Sequence, residues 1–268
     1  MPFTDVGDLS VYYETKGEGP RVLYIPGTSG DLRRVKNGLN TPLATHFDVL
    51  SYDQRGLGQT SKPDNAYTMK DYADDAAGLL DALGWETCHV IGGSFGGMVA
   101  QELAIRYPGK VSRLVLACSS SGGAGGSSYP LHELFNLEPA EQVMKSISRT
   151  DMRLDESWQK DHPEEFGQKV HEGLTAFYFA RNEPGAIDGK RRQLEARSHF
   201  NTYDRLSALD LPVLVCGGKY DGQAEPAVVE NLAIKIPGAD LKYFEGGHMF
   251  LQQDPAAYQA VITFFKAG

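Results

Sequence analysis

The chain has 268 residues, of which 41% are hydrophobic and 23% charged, an ordinary composition for a globular protein with a sizeable core and a length that suits one large α/β domain with an insertion. Its 26 basic and 35 acidic residues give a net charge of −9 without any run of Lys or Arg, so no basic face is available for a nucleic-acid partner. No 18-residue apolar run occurs, and Met1 is followed by Pro2-Phe3-Thr4-Asp5 rather than by a basic and then apolar leader, which predicts a cytoplasmic protein with no membrane partner.

The first segment, "FTDVGDLSVYYETKGEGP", alternates and turns at Gly7-Asp8, as an antiparallel hairpin on a sheet edge does. Runs that are apolar on successive residues follow: "RVLYI" at 21–25, "FDVLSY" at 47–52, "CHVIG" at 88–92 and "RLVLAC" at 113–118. Such runs suit central strands of a parallel sheet covered on both faces. The segments between them carry crossover helices, one from about Thr68 to Leu83 ending at Gly84, another across "MVAQELAIRYPGK" and stopped near Tyr107-Pro108-Gly109. From about Ser119 to Asp210 the rhythm breaks. A flexible "SSSGGAGGSS" leads into helical patterns such as "EPAEQVMKSISR" and "EEFGQKVHEGLTAFYFARNEP", which together predict an all-helical insertion. Alternation resumes with "PVLVCG" at 212–217, the helical "PAVVENLAIKIPG", "DLKYF" at 240–244 and a closing helix in "DPAAYQAVITFFKAG". The fold class is therefore α/β with a mostly parallel sheet. Cys88, Cys118 and Cys216 each lie in an apolar run with no metal-ligand or redox spacing, and are expected to be buried thiols.

Gly92-Gly93-Ser94-Phe95-Gly96 fits G-x-S-x-G between a predicted strand and a predicted helix, the context of a nucleophile elbow that lifts a serine hydroxyl above a sheet. A glycine-rich turn that only packs, or one that cradles a phosphate, is the competing reading. A serine nucleophile needs a base and a group to orient that base. Of the seven histidines, only His248 follows a strand on a glycine-rich loop, "EGGH". Asp221, in "CGGKYDG", sits in the loop after another strand, whereas Asp204 and Asp210 precede that strand.

Ser94, Asp221 and His248 come in the Ser…Asp…His order of the α/β-hydrolase fold, and with "YDQRGLGQTSKP", "GGSFGGMVAQELAIRYPGKVSRLVLACSS" and the terminal "GGH" the chain resembles that superfamily over essentially its full length. The resemblance implies a doubly wound, eight-stranded-type sheet, a core formed by residues 1–121 and 206–268, and a helical cap insertion at 122–205. It implies catalysis by Ser94, Asp221 and His248, and an oxyanion hole from the main-chain N–H groups of Phe95 and Thr28. The loop that carries Thr28 usually reads His-Gly, but here it is "IPGTSGD", with Pro26 in the histidine's place. No metal or organic cofactor is implied. The expected activity is serine hydrolysis of carboxylic esters or lactones of small to medium, fairly apolar size, through an acyl-enzyme, by a monomer or homodimer whose partner is a small-molecule substrate. Serine in place of aspartate at the elbow disfavours the dehalogenase and epoxide hydrolase branches.

Leu174, Phe177 and Tyr178 have helical spacing and are read either as a wall of an apolar acyl pocket or as packing of the cap. Asp53-Gln54-Arg55-Gly56 is read as a loop-stabilising Asp/Arg arrangement. Three alternatives stand beside the esterase reading: an aminopeptidase resembling proline iminopeptidases, for which Glu164, Glu165, Glu172 and Glu183 are the available cap carboxylates; a carbon–carbon bond hydrolase; and a non-catalytic ligand receptor on the same fold.

Overall fold

In the computed structural model, which describes residues 2–267, the apolar runs assemble into one eight-stranded sheet. The strands are β1 (Phe3–Val6), β2 (Leu9–Lys16), β3 (Arg21–Ile25), β4 (Asp48–Tyr52), β5 (Cys88–Gly93), β6 (Val111–Ala117), β7 (Val213–Gly218) and β8 (Asp240–Phe244). Their spatial order is β1-β2-β4-β3-β5-β6-β7-β8. β1 and β2 make the expected hairpin, with Val6 opposite Leu9, and β2 runs antiparallel to β4. Every pairing from β4 across to β8 is parallel. All six residues of β7 are buried, which is why that run shows no alternation.

The helices are α1 (Met69–Ala82), α2 (Phe95–Arg106), α3 (Pro139–Thr150), α4 (Glu156–Asp161), α5 (Pro163–Tyr178), α6 (Ala186–Ser198), α7 (Pro226–Lys235), α8 (Phe250–Gln253) and α9 (Pro255–Lys266). α1 starts where Thr68 and Asp71 cap each other's main-chain N–H, a capping box. It packs on α2 and β1, while α2 packs on β5 and β6.

Between β6 and β7 the described residues hold α3 to α6 and no strand. Two features depart from the sequence pattern. α5 stops at Tyr178 rather than running through "FARNEP", because the backbone turns left-handed at Ala180 (φ +55°). α6 was not singled out by periodicity; it is a polar helix whose buried residues include Gln193 and Arg197 as well as Leu194. α5 has no fully buried residue, so it lies over the rest of the molecule rather than within its core.

From β3 the chain steps to β4 on one side and then crosses back past β3 to β5 on the other. The C-terminal ends of β3 and β5 therefore flank the topological switch point, where open α/β sheets hold their ligands. The loop after β4 braces this edge. Asp53 accepts the N–H groups of Leu32 (2.7 Å) and Gln59 (2.8 Å), and burial pushes its carboxyl up to about 6. Arg55 pairs not with Asp53 but with Asp75 on α1, through two 2.6 Å bonds in the interior. The Asp53-Gln54-Arg55-Gly56 segment thus joins two separate partners rather than closing on itself. No helix among the described residues is long and apolar enough to cross a membrane.

Candidate active site

Ser94 stands at the turn from β5 into α2 with φ +54° and ψ −117°, a backbone state that costs a non-glycine residue about 1–3 kcal/mol. Its surroundings hold it there. Ser94 N–H donates to Ala117 O (2.8 Å), and Ser119 Oγ donates to Ser94 O (2.9 Å). The flanking glycines allow the close approach this turn needs: a Cβ on Gly92 would lie 2.2 Å from Gly96 O, and one on Gly96 would lie 2.1 Å from Ile25 O.

The loop after β8 brings His248 Nε2 to 2.9 Å from Ser94 Oγ. Its Nδ1 lies 2.8 Å from Asp221 Oδ2. Asp221 is fully buried, and its Oδ1 accepts the N–H groups of Gln223 (2.8 Å) and Ala224 (3.0 Å). A carboxylate offers Nδ1 only an acceptor, so the imidazole proton resides there and the Nε2 lone pair faces the hydroxyl. The His248 main-chain N–H donates to Thr150 O at the end of α3 (2.6 Å), which fixes the loop against the inserted helices.

The loop after β3 reaches the same edge. Pro26 lacks an N–H but uses its carbonyl, which accepts from Gln54 Nε2 (2.8 Å). Gly30 N–H turns back to Gly27 O (3.1 Å), and Ser29 N–H donates to Gln193 Oε1 on α6 (2.9 Å). Thr28 and Ser94 line one cavity. The main-chain N–H groups of Thr28 and Phe95 donate to no partner among the described residues, as an anion-receiving pair requires. The Phe95 ring is buried edge-on to Tyr72, 4.9 Å between centroids.

The cavity above Ser94 and His248 has a volume of about 950 Å³. Leu134, Val143, Ile147 and Leu194 contribute apolar wall. Of Leu174, Phe177 and Tyr178 on α5, read from the sequence either as pocket wall or as packing, only Phe177 lines the cavity, and Tyr178 is 57% exposed. The Phe177 ring instead receives two cations, Arg181 at 4.4 Å and Lys190 at 5.4 Å from its centroid. Burial, with Arg181 and Arg34 nearby, pushes the Lys190 ammonium down to about 8. Of the four glutamates of the inserted segment, Glu172 and Glu183 line the cavity, but Glu183 is held by Arg33 at 2.6 Å. Glu164 and Glu165 sit exposed in the first turn of α5. No cluster of three or more His, Cys, Asp or Glu gathers with metal-holding geometry among the described residues.

Thr150 and Gln193, which hold the loop of His248 and the loop after β3, escaped the sequence reading, and the bond from Gln54 to Pro26 O was not anticipated. Neither Thr150 nor Gln193 lies in a motif, and Gln193 meets Ser29 across 164 residues.

A family profile for the alpha/beta hydrolase fold matches residues 20–255. A protein of Azorhizobium caulinodans with the provisional name carbamate hydrolase is 33% identical over 283 residues, covering 99% of this chain and 98% of its own. The poly(3-hydroxyalkanoate) depolymerase of Ectopseudomonas oleovorans is 27% identical over 220 residues, 82% of this chain and 75% of its own. The crystal structure of the enol-lactonase from Burkholderia xenovorans LB400 superposes with a TM-score of 0.79 at 22% identity, covering 99% of this chain and all of that one.

Proposed function

The chain belongs to the alpha/beta hydrolase fold family, and from that premise we propose that it is a serine hydrolase that cleaves carboxylic esters or lactones through an acyl-enzyme. The observation that carries this reading is the hydrogen-bonded line Ser94 Oγ, His248 Nε2, His248 Nδ1, Asp221 Oδ2, with steps of 2.9 and 2.8 Å, opening on the cavity. His248 takes the Ser94 proton as Oγ attacks the acyl carbon, and Asp221 stabilises the resulting imidazolium. The N–H groups of Phe95 and Thr28 receive the developing oxyanion. His248 then returns the proton to the leaving oxygen and activates the water that releases the acid.

Residues 122–205 act as the cap that shapes the substrate space, over a core of 1–121 and 206–268. The cationic cavity wall weighs against an aminopeptidase, because a substrate ammonium would meet Arg34, Arg181 and Lys190, with Glu183 already engaged and Glu172 the one glutamate of the wall without an ion pair among the described residues. A carbamate is a second candidate substrate, favoured by the 33% identical relative's name, since the same attack on an acyl carbon would cleave it.

A panel of p-nitrophenyl esters, lactones, carbamates and prolyl anilides, run on the protein and its Ser94→Ala variant, tests the reading. Ester or lactone turnover that falls by about 10⁶ in the variant is expected. Turnover that survives the substitution contradicts the proposal.

A further inference from the structure

We infer that the cavity contains an anion subsite built from Arg34, Arg181 and Lys190, and that the substrate places a carboxylate there while its scissile carbonyl lies at Ser94; the second half rests on the hydrolase reading above. The three cations come from separate segments, the loop after β3, the turn after α5 and α6 itself, and line one cavity with Ser94 and His248. None has an acidic partner within ion-pair distance among the described residues, whereas their neighbours do: Arg33 pairs with Asp31 and Glu183, and Arg192 with Asp64. Arg34 donates one Nη to Ala176 O (3.0 Å), while its buried Nε has no partner. Of the remaining acids of the cavity, Asp31 pairs with Arg33 and offsets Arg34 only in part, Asp151 pairs with Arg153, and Glu172 accepts an exposed 3.2 Å bond from Gln168 and makes no ion pair with any of the three cations.

Aromatic faces hold the cations without neutralising them. Arg34 lies 4.7 Å from the Phe179 centroid, and Arg181 and Lys190 share Phe177. Such contacts attract a cation but leave its charge uncompensated. Burial pushes both Arg34 and Lys190 down from their ordinary values, and each of the other two cations pushes Lys190 further. A chain of net charge −9 that keeps three like charges unpaired in one cavity stores a repulsion that a bound anion removes. The guanidinium fork of an arginine matches a carboxylate in two parallel bonds, and an ammonium adds a point charge. The substrate class that fits is an ester or lactone with a carboxylate at its far end, such as the monoester of an aliphatic dicarboxylic acid.

The test compares p-nitrophenyl hydrogen adipate with p-nitrophenyl hexanoate, equal in acyl length and different in terminal charge. At low ionic strength kcat/KM is expected to favour the anionic ester by about tenfold or more, a charge-assisted hydrogen-bonding effect. Lys190→Met and Arg34→Gln should each reduce that ratio about tenfold, through KM. Lys190→Met should also raise Tm, which a merely structural role of Lys190 would not do. In parallel, calorimetric titration with free adipate reads binding to the Ser94→Ala protein, with and without Lys190→Met. Turnover of the hexanoate ester with no anionic preference and no adipate binding overturns the subsite and leaves the hydrolase reading standing. Adipate binding lost with Lys190, in a protein that turns over neither ester, supports the subsite and sinks the hydrolase reading instead.

Discussion

Exchanging Asp221 for Asn changes one terminal atom in the interior, and the structure dictates which way the new amide must face. Oδ1 accepts two main-chain N–H groups, from Gln223 at 2.8 Å and Ala224 at 3.0 Å, while Oδ2 meets His248 Nδ1 at 2.8 Å. Turning the NH₂ toward the two N–H groups would lose two hydrogen bonds and leave two buried donors unpaired, about 1–3 kcal/mol each. The amide carbonyl therefore keeps the Oδ1 place, and the NH₂ donates to His248 Nδ1. That moves the imidazole proton to Nε2, facing Ser94 Oγ, where no lone pair remains to accept the serine proton. A triad held in the wrong tautomer loses about 10⁴ in kcat, or roughly 5.5 kcal/mol of barrier at 1.36 kcal/mol per tenfold. Because the exchange is isosteric and keeps both main-chain bonds, the melting temperature should move by only a few degrees. Initial rates on p-nitrophenyl butyrate, with circular-dichroism melts of both proteins, measure the two quantities. A folded Asp221→Asn protein within tenfold of the parent rate would refute the assigned role of Asp221.

Gly96→Ala would place a Cβ 2.1 Å from Ile25 O and 2.7 Å from Pro26 O, forcing α2 away from β3. A loss of about 1–3 kcal/mol is expected from the overpacking, with a fall in kcat as Phe95 N–H is displaced; unchanged melting and unchanged kcat would contradict the close approach. Arg55→Ala leaves Asp75 buried without its partner, at a cost of about 3–5 kcal/mol, read as a large drop in the urea midpoint. For Lys190 the folded ammonium sits at about 8, below its ordinary 10.5. The unfolded chain therefore binds the extra proton between those values, and stability rises with pH across the window. The Tm advantage of Lys190→Met should be full at pH 7, shrink above pH 8 and vanish by about pH 10.5; an advantage that does not change with pH would contradict the burial of that charge.

What the sequence made legible was the strands and turns carried by short stretches. Unbroken apolar runs announced β3 to β7 because both faces of those strands are covered, and glycines around Ser94 and before His248 announced turns that the backbone indeed makes at the ends of β5 and β8. Asp221 was reachable by its place after β7 alone. The cavity was not legible. Its cations come from three segments that meet only in the fold, and the helical spacing of Leu174, Phe177 and Tyr178 told of an amphipathic helix without telling which face the cavity takes. Phe177 shows why: an aromatic residue reads as apolar in a sequence, yet its ring here receives Arg181 and Lys190. Gln193 was equally hidden, since a buried amide on a polar helix gives no periodic signal and its role depends on Ser29 in a loop near the other end of the chain.

The account turns on whether Ser94 is an activated nucleophile, and covalent capture asks that directly. Incubation with a fluorophosphonate, followed by intact-mass and peptide-mass analysis, should give one phosphonyl group per chain on Ser94, none in Ser94→Ala, and much slower labelling in Asp221→Asn. A folded protein that stays unlabelled, or carries the group on another residue, contradicts it.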